Sequence, residues 1–241
     1  MRNAEKVESF VADDSTDRVS LFKDLAVTGI GLDFERQAFD AGYRFIAGLD
    51  EVGRGCIAGP VVAAACILDI DKPLPDGLND SKKLTPEKRE EIAVQLKAEC
   101  VAYAIGQIEA DEIDRINILE ATKKSMLIAI DAINPAADFL LIDALQLKHS
   151  PLPQRAIIKG DSVSASIAAA SILAKTYRDA LMRDYDTKFP VYGFAGHKGY
   201  GCRTHWTALN EHGPCGIHRL SFHGVVPEPD GPLPLIDTAS V

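Results

Sequence analysis

No run of apolar residues in this sequence approaches the 18 or so that a membrane helix needs. The opening residues, Met1-Arg2-Asn3-Ala4-Glu5-Lys6, lack the continuous apolar stretch of a signal peptide. Basic charge is also short: 26 Lys and Arg against 35 Asp and Glu leave a net charge of -9. That excludes a protein that holds nucleic acid by bulk charge alone. Local basic patches around an acidic metal site stay compatible with it, because bound cations cancel part of the negative charge. Five cysteines, an odd number without dense spacing, build no disulfide framework and suit a reducing compartment. Internal repeats are absent as well. A soluble cytoplasmic protein is the expectation, with a monomer as the default.

What is present is a globular composition: 241 residues, 46% of them hydrophobic, enough for one sizeable core. Helical spacing over Phe34 to Gly42 is followed by an apolar strand, Tyr43 to Leu49. Pro60 to Leu68 is almost continuously apolar, as a strand buried on both faces requires. Thr85-Pro86-Glu87 starts a helix that runs to about Glu99: a hydroxyl N-cap, proline at the first position, an acid at the positive end of the dipole. A strand over Val101 to Glu109 precedes one or two helices over Ala110 to Ile133, broken at Asn134-Pro135. Short strands follow at Phe139 to Ile142 and Ala156 to Lys159. A long Ala-rich helix covers Ser164 to about Tyr185, then a Gly-, aromatic- and His-rich loop, then a short helix over Thr204 to Glu211. Strands alternating with helices make the chain α/β. Phe22 to Leu32 is expected as a short helix or ordered lead-in, and residues 224–241, with four prolines, as a disordered tail.

The chemistry is concentrated at strand ends. Asp50-Glu51 closes one apolar run, Asp143 a second, and Asp161, after Gly160, a third. Any single Asp in such a place is an ordinary turn residue. Three such ends, two with glycines beside them, are harder to explain as turns, since ligands of α/β sheets collect at strand ends. Neighbouring acids repel unless a cation lies between them, and hard cations prefer oxygen ligands. Four carboxylates gathered there would hold two Mg²⁺ or Mn²⁺ ions about 4 Å apart, the arrangement of a two-metal in-line displacement. Gly53-Arg54-Gly55 follows directly: glycines admit close backbone approach and arginine offers a donor fork suited to phosphate. Ser81-Lys82-Lys83, before a helix start, is a candidate phosphate anchor.

These motifs also resemble a family. Asp50-Glu51-Val52-Gly53-Arg54-Gly55 with Ala58-Gly59-Pro60-Val61-Val62, Leu78-Asn79-Asp80-Ser81-Lys82-Lys83-Leu84 and Leu141-Ile142-Asp143-Ala144 are similar to the blocks of type 2 ribonuclease H, the ribonuclease HII enzymes. So are Ile158-Lys159-Gly160-Asp161, Ser166 to Lys175, His197-Lys198-Gly199-Tyr200-Gly201 and His218-Arg219-Leu220-Ser221-Phe222. The resemblance runs in order over 33–223, so it makes 1–32 an N-terminal extension and 33–223 the catalytic domain. It implies a ribonuclease H-like mixed β-sheet flanked by helices, with a small helical C-terminal segment over the substrate groove. It implies a metal-dependent endonuclease acting on RNA–DNA hybrids and 5′ of ribonucleotides embedded in duplex DNA, leaving 3′-hydroxyl and 5′-phosphate ends. Asp50, Glu51, Asp143 and Asp161 fall on the family's metal-binding acids. The Gly53-Arg54-Gly55 turn and Tyr200 fall on its reader of the ribose 2′-hydroxyl, the group that separates RNA from DNA.

Some residues depart from the pattern. Cys202-x-x-His205 and Cys215-x-x-His218 have metal-like spacing, but the family places no zinc there, and Cys202 stands where threonine is usual. Ribonuclease HIII is the nearest alternative; Arg54 and Asp161 argue against it. A hybrid-binding module without activity would not need all four acids. A dinucleotide loop at Gly53-x-Gly55 has its third glycine misplaced, and such a loop would not follow two acids.

Overall fold

The computed structural model describes residues 5–6, 9–12, 26–27 and 29–226. Most of 1–32, and residues 227–241 of the expected tail, lie outside the described residues. Within the first segment, β1 (Glu5–Lys6) pairs with β3 (Ala26–Val27), and β2 (Ser9–Ala12) joins the main sheet. That sheet holds β2, β4 (Ile46–Val52), β5 (Val61–Ile67), β6 (Ala102–Ile108), β7 (Phe139–Asp143) and β8 (Gln154–Ile157), in the order β2-β8-β7-β4-β5-β6. β7 runs parallel to both β4 and β8; the other pairs are antiparallel. The expected mixed sheet flanked by helices is therefore the observed one.

Helices cover both faces. α4 (Ile118–Ala132) packs against Ala47, Leu49, Ala63, Ala65, Leu140 and Ile142. On the other face α5 (Ala165–Lys188), with α2 (Pro86–Glu99) and α1 (Asp33–Asp40), covers Ile46, Val62, Ala64, Cys66 and Leu141. β5, buried along its whole length, sits between the two layers. α5 approaches unusually closely because both surfaces are small: Ala168, Ala169 and Ala170 on the helix, Gly48 on β4. A Cβ on Gly48 would lie 2.1 Å from the Ser166 carbonyl carbon. That contact sets the start of α5 directly against the middle of β4. No helix among the described residues is long and apolar enough to cross a membrane.

Several boundaries differ from the sequence-based expectation for identifiable reasons. β4 does not stop before the acids. β5 continues to pair with it through Asp50↔Ala64, Glu51↔Ala63 and Val52↔Val62, and the strand ends at Gly53, with φ +91. β8 lies two residues earlier than expected, because Lys159 adopts a left-handed φ of 56 that no strand accepts. The helical stretch from Ala110 is two helices, α3 (Ala110–Ile116) and α4. Asn117, at φ 68, divides them, and its side chain accepts the N–H groups of Leu119 and Glu120 to cap α4. The loop after α5 contains one more helical turn, α6 (Phe194–His197), before α7 (Arg203–His212).

Candidate active site

β4 and β7 run side by side with Leu49 opposite Ile142, so the next residues, Asp50 and Asp143, stand beside each other. Alternation along β4 aims Asp50 to the same face as Gly48, toward α5. There Ser171 of α5 donates to its carboxylate, and the Glu51 N–H donates to Asp50 Oδ1 at 2.8 Å. Asp143 Oδ1 accepts the Gly160 N–H at 2.7 Å. Asp161 lies not at a strand end, as the sequence suggested, but on a single 3₁₀ turn, Gly160–Ser162, between β8 and α5. The Lys82 ammonium approaches its Oδ2 at 3.3 Å. Glu51 Oε1 meets Arg54 Nη1 at 3.1 Å, while Glu51 Oε2 is buried without a hydrogen-bond partner.

The electrostatics of these acids are unresolved by the protein itself. Burial pushes the Asp50 carboxyl well above the usual range, and repulsion from Glu51 and Asp143 adds to it. Burial pushes Asp143 up to about 6 against the Gly160 hydrogen bond, with Asp161 and Glu51 adding repulsion. Glu51 is raised by burial despite Arg54 and Lys82. Lys82 and Arg54 are thus the cations that meet these acids, and they do not balance them. An all-oxygen donor set, raised carboxyls and an unpartnered buried oxygen suit a hard divalent cation. Among the described residues no three such side chains already close round a common point.

The neighbouring turn is rigidly held from beneath. Arg219, fully buried, donates to the carbonyls of Gly53 at 2.7 Å, Arg54 at 2.9 Å and Gly59 at 2.8 Å. Arg178 of α5, also fully buried, donates to Ala58, Pro60 and Lys198. Burial pulls the Arg219 guanidinium down to about 10, which still leaves it charged at neutral pH. A Cβ on Gly53 would strike the Arg178 side chain at 2.3 Å. Gly55 differs: a Cβ there would meet open space. Arg54 and Gly55 face solvent. Tyr200 joins the same surface through its backbone bridge to Cys56, and its ring is exposed.

The lysine loop is only partly as expected. Lys82 and Lys83 project outward, but the Ser81 hydroxyl is buried against Ser171 Oγ at 2.9 Å. Ser171 in turn serves Asp50. Ser81 therefore braces the acid site through its side chain instead of presenting a hydroxyl to a phosphate. The loop is fixed by Asp80, which accepts the Lys82 N–H, and by Arg89, which donates to the Ser81 carbonyl. Lys175 pairs with Asp179 at 2.7 Å, and Lys159 is exposed. His205 and His218 do meet, but their Nε2 atoms hydrogen-bond each other at 3.1 Å, and Cys202 Sγ contacts Thr204. That is not a zinc arrangement.

Sequence reasoning overlooked Arg178, Arg219 and Glu35. Glu35 of α1 is buried and its Oε1 accepts from Ser164 Oγ, Ser166 N and Ser166 Oγ, fixing the start of α5 just beyond Asp161. Arg178 carried a signal: it falls at helical spacing within the largely apolar, buried stripe Ile167, Ser171, Ala174, Met182 of α5. An arginine inside such a stripe must be clamped by acceptors.

A mixed sheet with helices on both faces and acids at its centre is the architecture of ribonuclease H-like nucleases. The ribonuclease H2 structure from Pyrococcus horikoshii OT3 superposes with a TM-score of 0.61 at 26% identity, covering 75% of this chain and 94% of its own. The ribonuclease HII of Archaeoglobus fulgidus, solved in complex with PCNA, gives 0.63 at 26% identity, covering 73% and 92%. The family follows from sequence. The ribonuclease HII profile matches residues 47–225, and the ribonuclease HII of Desulfitobacterium hafniense is 55% identical over 188 residues, 78% of this chain and 72% of its own. Ribonuclease HII of Geotalea uraniireducens is 53% identical over 194 residues. The chain belongs to the ribonuclease HII family, hydrolases of RNA in RNA–DNA hybrids.

Proposed function

We propose that this chain also cuts duplex DNA on the 5′ side of an embedded ribonucleotide, leaving 3′-hydroxyl and 5′-phosphate ends. Residues 33–223 form the catalytic unit, acting as a cytoplasmic monomer. Asp50, Glu51, Asp143 and Asp161 would hold two Mg²⁺ or Mn²⁺ ions with the substrate. Such ions supply a lowered pKa to an attacking water and counter-charge to the leaving oxygen. The observation that carries the reading is the juxtaposition of buried, under-compensated acids with solvent-facing Arg54 and Gly55 in the turn that directly follows their strand.

The protein's own groups divide the work. Asp50 and Asp143 are held in place by Ser171, the Glu51 N–H and the Gly160 N–H, so the carboxylates are oriented before substrate arrives. Lys82 and Lys83 face outward where the phosphate backbone would pass. Open space at Gly55 allows a ribose edge to approach the backbone, and the exposed Tyr200 ring offers a stacking face and a hydroxyl for the 2′-position.

Arg54→Ala and Tyr200→Ala are expected to lower the preference for a single-ribonucleotide duplex over a long hybrid by about tenfold, the value of one lost hydrogen bond or stack. Melting temperatures should change little, since both side chains are exposed. Comparing kcat/KM on the two substrates checks this; an unchanged ratio in both variants contradicts the recognition role.

A further inference from the structure

Three of the six histidines of the chain gather beneath the Gly199–Tyr200 turn, and nothing in the hydrolytic site uses them. His205 of α7 and His218 are buried. His197 of α6 stacks on His205 with ring centroids 4.2 Å apart. Their hydrogen bonds form a directed chain. The Cys215 N–H donates to His218 Nδ1 at 2.9 Å, so His218 carries its proton on Nε2. That Nε2–H reaches His205 Nε2 at 3.1 Å, which places the His205 proton on Nδ1. The Nδ1–H then donates to the Tyr200 carbonyl at 2.9 Å. Independently, His197 Nδ1 accepts the Gly199 N–H at 3.2 Å and its Nε2 donates to the Tyr192 carbonyl at 2.8 Å.

The Gly199 N–H and the Tyr200 carbonyl are therefore held by imidazoles, while the Tyr200 N–H donates to the His197 carbonyl at 3.0 Å and the Tyr200 carbonyl also accepts the Cys202 N–H at 2.9 Å. The Gly199 carbonyl on the same turn accepts the Ile57 N–H at 2.9 Å, and Cys56 bridges Tyr200, so the histidines also set the turn's seat on the Gly53-Arg54-Gly55 loop. We propose that His197 and His205 are positioning residues for substrate recognition, a pair of imidazoles that sets where the Tyr200 ring stands, and that His218 serves to fix the His205 tautomer, which completes the relay. The inference rests on the reading of Tyr200 as a contact to the sugar at the ribonucleotide.

The surroundings keep the relay in one protonation state. Aromatic rings of Tyr192 and Phe194 enclose His205 and His218, and the Cys215 thiol lies 3.2 Å from His218 Nδ1. Asp186 of α5 and Lys198 are the charged groups that act on His197. Burial pulls His205 and His218 down to about 4 and lowers His197, so all three are neutral at working pH. A second proton on any of them would remove an acceptor the chain requires.

Position 205 allows the relay to be cut on one side at a time. In His205→Asn the amide occupies the place of Nδ1 and still donates to the Tyr200 carbonyl; in His205→Gln it occupies the place of Nε2 and meets His218 but not Tyr200. The measurement is the kcat/KM ratio between a single-ribonucleotide duplex and a long hybrid, in which the shared hydrolytic step cancels. His205→Asn is expected to keep the wild-type ratio within about twofold, and His205→Gln to lower it about tenfold. Tyr200→Ala is run alongside, alone and combined with His205→Gln, and the combination should lower the ratio no further than Tyr200→Ala alone. If both folded His205 variants keep the wild-type ratio while Tyr200→Ala lowers it, the relay is overturned and the tyrosine reading stands. Equal losses in both His205 variants also overturn the relay, because a merely structural histidine does not distinguish them. If Tyr200→Ala leaves the ratio unchanged, the tyrosine reading falls and the relay with it. Should one variant fail to fold, long-range ¹H–¹⁵N spectra of the wild-type imidazoles decide: protons on Nε2 of His197 and His218 and on Nδ1 of His205 support the relay, and any other tautomer set overturns it.

Discussion

Asp50→Asn is expected to abolish cleavage while leaving the chain folded and harder to melt. The side chain keeps its size, the Ser171 donor and the Glu51 N–H still have an oxygen to meet, and only the charge is removed. In the native chain that charge is unfavourable, since burial and two neighbouring acids push its carboxyl well up. The loss of activity should be on the order of a thousandfold or more, as for other essential groups of a catalytic unit. Asp143→Asn should behave the same way, with a pH signature. Its folded pKa, about 6, lies above the 3.8 usual for an aspartate. A carboxyl with a raised folded pKa favours the folded state below its unfolded pKa and loses that contribution as pH rises through the folded value. The metal-free variant should therefore melt above the wild type at pH 7.5. The difference should shrink through about pH 6 and vanish below about pH 4. Thermal melts in chelator across that range check the sign, and a variant that melts lower at pH 7.5 contradicts the account of buried, repelling acids.

The second large effect is on stability. Gly48→Ala would place a methyl 2.1 to 2.4 Å from backbone atoms of Ser166 and Ile167, and neither backbone can move without shifting α5. Overpacking of this kind costs about 3 kcal/mol or more when the obstacle is main chain. That is a large part of the 5–15 kcal/mol typical of a whole domain. Displacing α5 would also move Ser171 away from Asp50 and Arg178 away from the carbonyls it holds. Gly55→Ala is the contrast: its methyl meets open space, so urea unfolding should be unchanged while cleavage at an embedded ribonucleotide weakens. A Gly48→Ala chain with a wild-type urea midpoint would contradict the close helix–sheet contact.

Much of this arrangement was legible in the sequence because its signals are local. Continuous apolarity marked β5 as buried on both faces, and Thr85-Pro86 marked the start of α2 to the residue. The four acids stood out because each follows an apolar run. What was not legible depends on partners far along the chain. The extension of β4 through Asp50 and Glu51 is decided by pairing with Ala63 and Ala64. Ser81 reads as a phosphate anchor until Ser171, 90 residues away, is seen to bury its hydroxyl. Arg178 and Arg219 look like surface charges and are fully buried clamps, because their acceptors are carbonyls, which leave no trace in residue type. The paired spacing of Cys202-x-x-His205 and Cys215-x-x-His218 looked metal-like, but spacing alone could not show that the two histidines meet each other through a hydrogen bond.

The most direct measurement is cleavage of a labelled DNA duplex carrying one ribonucleotide, with Mg²⁺, with Mn²⁺ and with chelator. The account predicts a single cut on the 5′ side of the ribonucleotide, present with either ion and absent in chelator. Folded protein that leaves this duplex intact while cutting long hybrids would remove the junction reading from Arg54 and Tyr200; cutting that persists in chelator would contradict the acid site itself.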